Sequence, residues 1–221
     1  MMIKFLAVYL ASQLAWSQWV EVNLLLPTQF AVGLKAATQK AKENLHLMSE
    51  NKFYLENPVP VVKGPQNKLY MIDGHHFTRG VYEMDYPYVF VKVEHDWSHL
   101  SPQAFWKKMK ENNLVYLKDE NGNDRQVKDL PKSVAQLKDD PYRSLAWYVR
   151  KKGGFKKTSQ YFFEFIWAEF FRSEIPLTKL NEDFKNSVKI ALLLALSKKA
   201  EHLPGFIKTG GTPQCQSVVS Q

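Results

Sequence analysis

Residues 59–83 read VPVVKGPQNKLYMIDGHHFTRGVYE, which is two β-rich segments followed by a helical pattern. The segments 59–63 and 68–72 flank a Gly-Pro-Gln-Asn turn, so they predict a β-hairpin. Asp73-Gly74 then interrupts the second strand, and apolar residues recur at helical spacing from Phe77 onward. The stretch predicts strand, strand, loop and helix, with the helix starting just after Gly74.

The same mixture of strands and helices continues on both sides. Residues 20–26 and 86–93 are further β-rich runs, and residues 31–47 are helix formers with an apolar stripe. The fold class is therefore predicted as α+β, with a small mixed sheet and helices over residues 18–100. A helical extension of the same domain, residues 101–207, is expected to pack on that sheet.

Two helices in the C-terminal half carry start signals. Ser101-Pro102 and Asp140-Pro141 each place an N-cap residue before a proline at the first helical position. The second of these helices is expected to end at Gly153-Gly154, where a left-handed residue costs least.

Two more helices follow from the pattern alone. Thr158 is expected to open a helix in which seven aromatic residues fall between Tyr161 and Phe171, so rings surround the cylinder and the helix should be buried. Residues 181–202 predict a last, amphipathic helix that ends before Pro204-Gly205.

Composition excludes several classes of protein. The 221 residues are 45% hydrophobic and 14% aromatic, which is too apolar for a disordered chain. No window holds the eighteen or so uninterrupted apolar residues of a membrane span, so we expect no transmembrane segment in the mature chain. The formal net charge of +8 suits anionic partners such as nucleic acid, nucleotides or a membrane surface, although scattered surface lysines give the same sum.

The first seventeen residues differ from the rest of the chain. Lys4 precedes a mostly apolar run, and Ala15-Trp16-Ser17 places small residues where a signal peptidase reads them. We therefore expect a signal peptide over residues 1–17, cleavage before Gln18 and a secreted or periplasmic mature protein. The alternative is a short N-terminal core helix.

The single cysteine, Cys215, lies in a tail over residues 208–221 that has little apolar surface to bury and is expected to be flexible. An internal disulfide is impossible, and no base neighbours Cys215 in the sequence to activate it. Its role is left open between a spare thiol and an intermolecular disulfide.

The Asp73-Gly74-His75-His76 turn has the features of an anion site. The first amides of a helix are unpaired, the helix dipole favours negative charge, and glycine lets a phosphate approach the backbone. His76 or His75 would then transfer a proton, and Arg79, one turn later, would hold a phosphate oxygen. The alternative is a plain turn with two exposed histidines.

This stretch, from Gly64 to Glu83, resembles the phosphate-facing box of the ParB/sulfiredoxin superfamily. The segments LPTQ (26–29), DDPYRSLAWYVR (139–150) and EFIWAEFFR (164–172) resemble, in the same order, a ParB-like family of predicted bacterial nucleases. The resemblance covers most of residues 20–175 and implies a ParB/sulfiredoxin-like fold with a role in phosphoester or nucleotide chemistry.

Relatives of this fold include partition proteins that bind DNA, nucleases, sulfiredoxin-type reductases and free-amino-acid kinases, and the fold alone does not choose among them. Two histidines follow the glycine here, which is closer to the sulfiredoxin pattern, but the reductase's cysteine is missing. The segment 130–172 is rich in aromatics where a DNA-reading helix would carry Arg, Asn and Gln, so sequence-specific DNA reading is not expected.

The resemblance also brings in residues from the helical half. Arg143 is expected to face the phosphate site from the first turn of its helix. Glu169 and Arg172 are expected to form a structural ion pair behind the site, with Glu169 as a pocket base or metal ligand as the alternative. The residue types alone leave a divalent metal open as an alternative: the run Glu94-His95-Asp96 and His99, together with His75 or His76, would supply nitrogen and oxygen ligands, and the sequence does not identify the metal.

Three functions are consistent with these observations. The first is an exported ParB-like nuclease or phosphoester hydrolase, with His76 transferring a proton, His75 and Asp73 assisting, and Gly74, Arg79 and Arg143 binding phosphate. The second is a nucleotide-dependent phosphotransferase, and the third is a non-catalytic domain that binds an anion or a partner protein at the same turn. Nucleic acid or a nucleotide is the expected partner in the first two.

Overall fold

The structure is a computed structural model and describes residues 17–44, 46–47 and 51–208. Its strands are β1 (Ser17–Glu21), β2 (Leu25–Leu26), β3 (Ala31–Val32), β4 (Val59–Lys63), β5 (Leu69–Met71), β6 (Tyr88–Asp96) and β7 (Lys138–Asp139). Its helices are α1 (Leu34–Asn44), α2 (Asn51–Glu56), α3 (His75–Glu83), α4 (Pro102–Glu111), α5 (Pro141–Lys151), α6 (Phe163–Glu174), α7 (Leu177–Glu182) and α8 (Phe184–Ala195).

Five strands form one mixed sheet in the order β1-β6-β4-β5-β2. The β4–β5 hairpin is antiparallel, with Val61 opposite Met71, as the sequence predicts. β6 runs parallel to β4, and β2 runs parallel to β5. The short strands β3 and β7 pair separately and in parallel. The predicted α+β class, with a mixed sheet and a helical C-terminal half, is confirmed.

The helix signals of the sequence act as expected in α4 and α5. The Ser101 hydroxyl accepts a hydrogen bond from the Ala104 amide at 3.3 Å, and the Asp140 carboxylate accepts one from the Tyr142 amide at 2.9 Å. After α5, Gly153 adopts a left-handed φ of 83°. These caps satisfy amides that the helix itself leaves unpaired.

Several predicted boundaries are wrong. The run 20–26 is divided, because a turn of 3-10 helix separates β1 from β2, and the expected helix over 31–47 starts only at Leu34, after strand β3. The aromatic helix begins at Phe163 rather than Thr158, since Phe162 has a left-handed φ of 58°. Of the single helix predicted over 181–202, only α8 (Phe184–Ala195) forms as one helix: Asp183 leaves helical geometry after α7 and caps α8 by accepting from the Asn186 amide, and a 3-10 turn at Lys198–Ala200 follows α8.

The helical half has its own buried cluster around Trp167 and Phe171, a second cluster lies between the sheet, α2 and α3, and a third packs α4 against the sheet. The residue before α1 closely approaches the first turn of α5. A Cβ on Gly33 would lie 2.2 Å from the Ser144 backbone nitrogen, so only glycine permits this contact.

No helix among the described residues is long and apolar enough to cross a membrane. The predicted signal peptide, except for Ser17, and the tail from residue 209 onward, with Cys215, lie outside the described residues.

Candidate functional site

A cavity of about 320 Å³ lies between the N-terminus of α3, the helices α1 and α5, and the segment that leads into α6. Its polar lining comes from both halves of the chain: Gln29, Lys40, Asp73, His75, His76, Arg143, Arg150, Lys157, Thr158, Ser159, Gln160, Tyr161 and Glu164. Its volume is at the small end of the range of small-molecule sites, about 300–1,000 Å³.

Gly74 shapes the α3 side of the cavity. It has a left-handed φ of 81°, and its amide donates to the Asp73 carboxylate at 2.6 Å. Among the described residues no acceptor is found for the backbone amides of His75, His76 or Phe77. These are the amides that a helix N-terminus offers to an anion, as the sequence predicts.

The two histidines are held by backbone donors from the chain before α1. His75 Nε2 accepts from the Thr28 amide at 3.2 Å, and His76 Nε2 accepts from the Gly33 amide at 3.0 Å. A ring nitrogen that accepts a hydrogen bond carries no proton, so each neutral ring has its proton on Nδ1. Both residues line the cavity, and no acceptor is found for either Nδ1–H in the part of the chain that the structure describes.

The surroundings keep both rings neutral. Burial, assisted by the positive charge of Arg143, lowers the pKa of His75 to about 3. Burial and then Arg143 and Lys40 lower the pKa of His76 well below its usual value. Desolvation disfavours the imidazolium ion, so near neutral pH these histidines are uncharged hydrogen-bond donors.

Arg143, in the first turn of α5, is the central cation of the cavity. Only 4% of the residue is exposed, and its guanidinium carbon lies 4.0 Å from the centre of the Phe165 ring. Its Nη2 donates to the Glu164 carboxylate at 3.3 Å, whereas its Nε and Nη1 are buried with no partner among the described residues. Buried polar groups are normally hydrogen-bonded, so two unpaired donors on a residue that lines the cavity indicate a place for an acceptor.

Glu164 fixes the direction of that guanidinium. Its carboxylate binds both Arg143 and Arg150, which lie two turns apart on α5. Burial would raise the pKa of Glu164, but the two guanidinium groups outweigh it and the pKa is lowered. Glu164 is therefore an anion between two arginines and a poor general base.

Lys40 is a further cation of the cavity. Burial lowers the pKa of its amine, against the opposing charges of Asp73 and Glu164. No hydrogen bond or ion pair of its Nζ is found in the described part of the chain. The residue is half-buried, and a bound anion would offset the partial desolvation of its amine.

Arg79 does not reach the cavity. Its Nη1 donates to the carbonyl oxygens of Val134, Ala135 and Leu137 at 2.7–3.1 Å, and its Nε and Nη2 bind Glu83. All of the guanidinium nitrogens are engaged, so the predicted phosphate contact is replaced by a structural one.

Glu169 and Arg172 also lie away from the cavity. Arg172 binds the buried Asp140 carboxylate at 2.8 Å and the Glu120 carbonyl at 3.1 Å, and it lies 3.5 Å from Glu169. The ion pair between Arg172 and Asp140 links α6 to the N-cap of α5. Of the two predicted roles, the contacts match the structural ion pair.

The residues considered for a metal are not brought together. Among the described residues no group of three or more His, Cys, Asp or Glu side chains has a ligating arrangement. His95 stacks on Trp97 at 4.7 Å, and Asp96 binds Ser98 and Lys63. In the cavity itself both histidine Nε2 atoms are occupied and cations outnumber carboxylates, so this donor set does not fit a divalent metal.

Sequence reasoning missed Lys40, Arg150 and Glu164. Arg143 and Arg150 are seven residues apart, which places them on one helix face, and this spacing was the available signal. Nothing local marks Glu164 within its aromatic run or Lys40 within a lysine-rich helix, because their partners are distant in sequence.

Comparison with known proteins supports the family resemblance and the fold. Residues 18–173 match the protein family described as "Putative ParB-like nuclease". The structure also resembles the crystal structure of protein Atu1540 from Agrobacterium tumefaciens, with a TM-score of 0.80 and 37% sequence identity over 87% of this chain and 97% of that one. None of the curated proteins matches the sequence.

The family match covers well over half of the chain. The protein therefore belongs to the ParB-like family, as its sequence motifs predict.

Proposed function

We propose that the protein is a phosphoester hydrolase that acts on nucleic acid or nucleotides and binds the phosphoryl group in the cavity at the α3 N-terminus. The family description supports the phosphoester chemistry. The observation that carries the proposal is Arg143, whose buried Nε and Nη1 have no partner among the described residues. Phosphate oxygens match the fork of an arginine better than any other common ligand except a carboxylate.

The residues have the following roles in this proposal. Arg143 and the free amides of α3 hold the phosphoryl oxygens, and Gly74 supplies the left-handed φ of 81° with which the chain turns into α3. His75 and His76 donate from Nδ1 as neutral side chains, because their Nε2 atoms are already occupied. The sequence predicts that His76 transfers a proton. In this proposal His76 instead donates a hydrogen bond to the leaving oxygen, on which negative charge develops.

Asp73 is the proposed base. It is exposed at the edge of the cavity, and no ion pair of its carboxylate is found in the described part of the chain, whereas Glu164 is held by two arginines. It would orient the attacking water and accept its proton.

The test measures binding and turnover on the same proteins. Arg143→Gln should weaken binding of inorganic phosphate by at least about tenfold, because a hydrogen bond to a charged group contributes about 1.5–3 kcal/mol. Arg125→Gln is the matched control, since Arg125 is half exposed and binds Asp119 outside the cavity. Turnover is followed as cleavage of single- and double-stranded nucleic acid and as release of phosphate, with and without Mg²⁺ or Mn²⁺.

Equal phosphate affinity in Arg143→Gln and wild type would contradict the proposal. Transfer of phosphate from ATP to an acceptor, instead of to water, would favour the phosphotransferase alternative.

One observation favours a second candidate, a non-catalytic anion-binding domain. Both histidines are fixed by backbone donors and kept neutral, which suits binding more than proton exchange. Phosphate binding that depends on Arg143, without turnover of any nucleic acid or nucleotide, would establish this function.

We also propose export, on the basis of the sequence of residues 1–17. Mass spectrometry of protein purified from its native cells should find an N-terminus at or near Gln18 outside the cytoplasm. An intact Met1 would refute this.

A further inference from the structure

We infer that the phosphoryl group taken by this cavity is a phosphomonoester dianion, such as a nucleotide's phosphate or the terminal phosphate of a strand, rather than an internal phosphodiester. The inference rests on the proposed function and specifies its substrate class. It depends on the charges and the burial of the cavity lining.

The charge of the cavity fits a dianion. Among the described residues, four cationic side chains (Lys40, Arg143, Arg150, Lys157) and two carboxylates (Asp73, Glu164) line it, which leaves two positive charges in excess when Lys40 is protonated. A phosphodiester carries one negative charge, whereas a phosphomonoester carries close to two near neutral pH, because its second pKa is about 6. Only the monoester balances the cavity.

The unpaired donors fit a terminal phosphoryl group as well. Arg143 offers two buried nitrogens, the start of α3 offers free amides, and the two histidines offer Nδ1–H groups. A monoester presents three unsubstituted oxygens to such a set. A diester presents only two unsubstituted oxygens. Some of the hydrogen-bond donors in the cavity would then stay buried without an acceptor, which is unfavourable.

Burial restricts how a strand could enter. The site lies at a residue that is only 4% exposed, in a cavity of about 320 Å³. An internal phosphate would need room for the chain to enter and to leave, and a duplex cannot be admitted to this volume. A strand end or a free nucleotide needs one opening, and Tyr161 at the cavity edge provides a ring on which a base can stack.

The reaction that follows is monoester hydrolysis. The water oxygen forms a bond to phosphorus, the ester P–O bond breaks, and the leaving alcohol gains the proton that water loses by way of Asp73. The products are the alcohol and inorganic phosphate, so no further reactant is required.

The first experiment compares matched small probes on the wild-type protein. Binding of methyl phosphate and dimethyl phosphate is measured by calorimetry, and release of nitrophenol is followed from p-nitrophenyl phosphate and bis(p-nitrophenyl) phosphate. We expect the monoester to bind at least about tenfold more tightly, since one additional charged hydrogen bond is worth that factor or more. Equal or tighter binding of the diester overturns the inference.

The second experiment separates the two sources of a monoester. A linear single-stranded oligonucleotide with a 5′-phosphate is compared with the same strand without it, the same sequence closed into a circle, and the free mononucleotide. A terminal phosphate that strengthens binding, with the circle bound weakly, identifies strand ends. Tight binding of the mononucleotide alone identifies a nucleotide. Circle and phosphorylated strand bound equally would contradict the inference.

A pair of lysine variants tests the charge argument. Lys40→Gln should reduce the preference for monoester over diester, because it removes one of the two excess charges, whereas Lys152→Gln, exposed on the surface after α5, should leave the preference unchanged. An unchanged preference in Lys40→Gln would count against the charge argument. Failure of wild type to bind inorganic phosphate at all refutes the proposed function itself, whereas phosphate binding with diester preference refutes only this inference.

Discussion

At the scale of single residues, His75 couples the stability of the fold to pH. Its pKa is about 3 in the folded protein, chiefly because it is buried, and near 6.5 when unfolded. Between these values the unfolded chain binds a proton that the folded chain does not, so stability is fully present above about pH 6.5 and falls as the pH falls. The loss is about 1.4 kcal/mol for each pH unit.

This predicts the behaviour of His75→Gln, whose amide oxygen can still accept from the Thr28 amide. The free energy of unfolding, measured in urea from pH 7 to pH 5, should depend on pH less steeply in the variant than in wild type, by up to about 1.4 kcal/mol per unit. Parallel pH curves for the two proteins would show that folding does not lower the pKa of His75.

Arg79 and Arg143 show why residue type alone is a poor guide to function. Arg79→Gln should lower the free energy of unfolding by about 2–3 kcal/mol, because three carbonyl oxygens and Glu83 lose their donor. At a temperature where the Arg79→Gln variant is folded, the variant should bind phosphate as tightly as wild type does. Weaker phosphate binding with an unchanged free energy of unfolding would show that Arg79 contacts the phosphate after all.

At the scale of elements, the contact between α1 and α5 positions His76 and Arg143, whereas His75 is held separately by the Thr28 amide. The amides at the start of α1 are capped from the other half of the chain: the Leu34 amide donates to Asp139 and the Ala36 amide to Ser144. Gly33 lies in the same contact and also donates to His76. Separating these helix ends would therefore disturb the site and the fold together.

Gly33→Ala tests this contact. Its Cβ would meet the Ser144 backbone at 2.2 Å, so the helices must move apart, and we expect a loss of more than about 2 kcal/mol in unfolding free energy together with weaker phosphate binding. Gly153→Ala is the control, since a Cβ there meets nothing within 4 Å and only the left-handed φ is penalised, by about 1–2 kcal/mol. Unlike Gly33→Ala, it should keep phosphate affinity unchanged.

The same elements show what the sequence could and could not predict. α4 and α5 were predicted closely because Ser101-Pro102 and Asp140-Pro141 are local start signals whose caps form within three residues. The start of α1 was misplaced because its caps come from Asp139 and Ser144, more than a hundred residues away. The break at Asp183 was missed because the apolar pattern continues through it.

The site shows the same difference between features that are set locally and features that depend on distant contacts. The turn at Gly74 was predicted from local residue types, and His75 and His76 do line the cavity there. Glu164 and Lys40 were missed because their importance comes from burial beside distant arginines and carboxylates. A turn can be predicted from adjacent residues, whereas the burial and the charged neighbours of a side chain depend on how the whole chain folds.

At the scale of the whole molecule, the net charge of +8 must be separated from the charge of the cavity. Exposed lysines such as Lys152 and Lys156 attract any polyanion and are screened by salt over about 8 Å at physiological ionic strength. Arg143 is buried and holds its ligand by direct hydrogen bonds, which salt affects less. Binding of a strand should thus have a surface component and a cavity component with different salt dependence.

This predicts opposite behaviour for two variants between 50 and 500 mM salt. For a single-stranded oligonucleotide the logarithm of the binding constant should fall with the logarithm of salt by about 0.7 for each phosphate contacted. A Lys152→Gln, Lys156→Gln double variant should flatten that slope and leave the affinity for inorganic phosphate unchanged. Arg143→Gln should keep most of the slope and lose the phosphate affinity. If both variants change slope and phosphate affinity together, the strand and the phosphate are held by one surface, and the separation between cavity and surface charge is wrong.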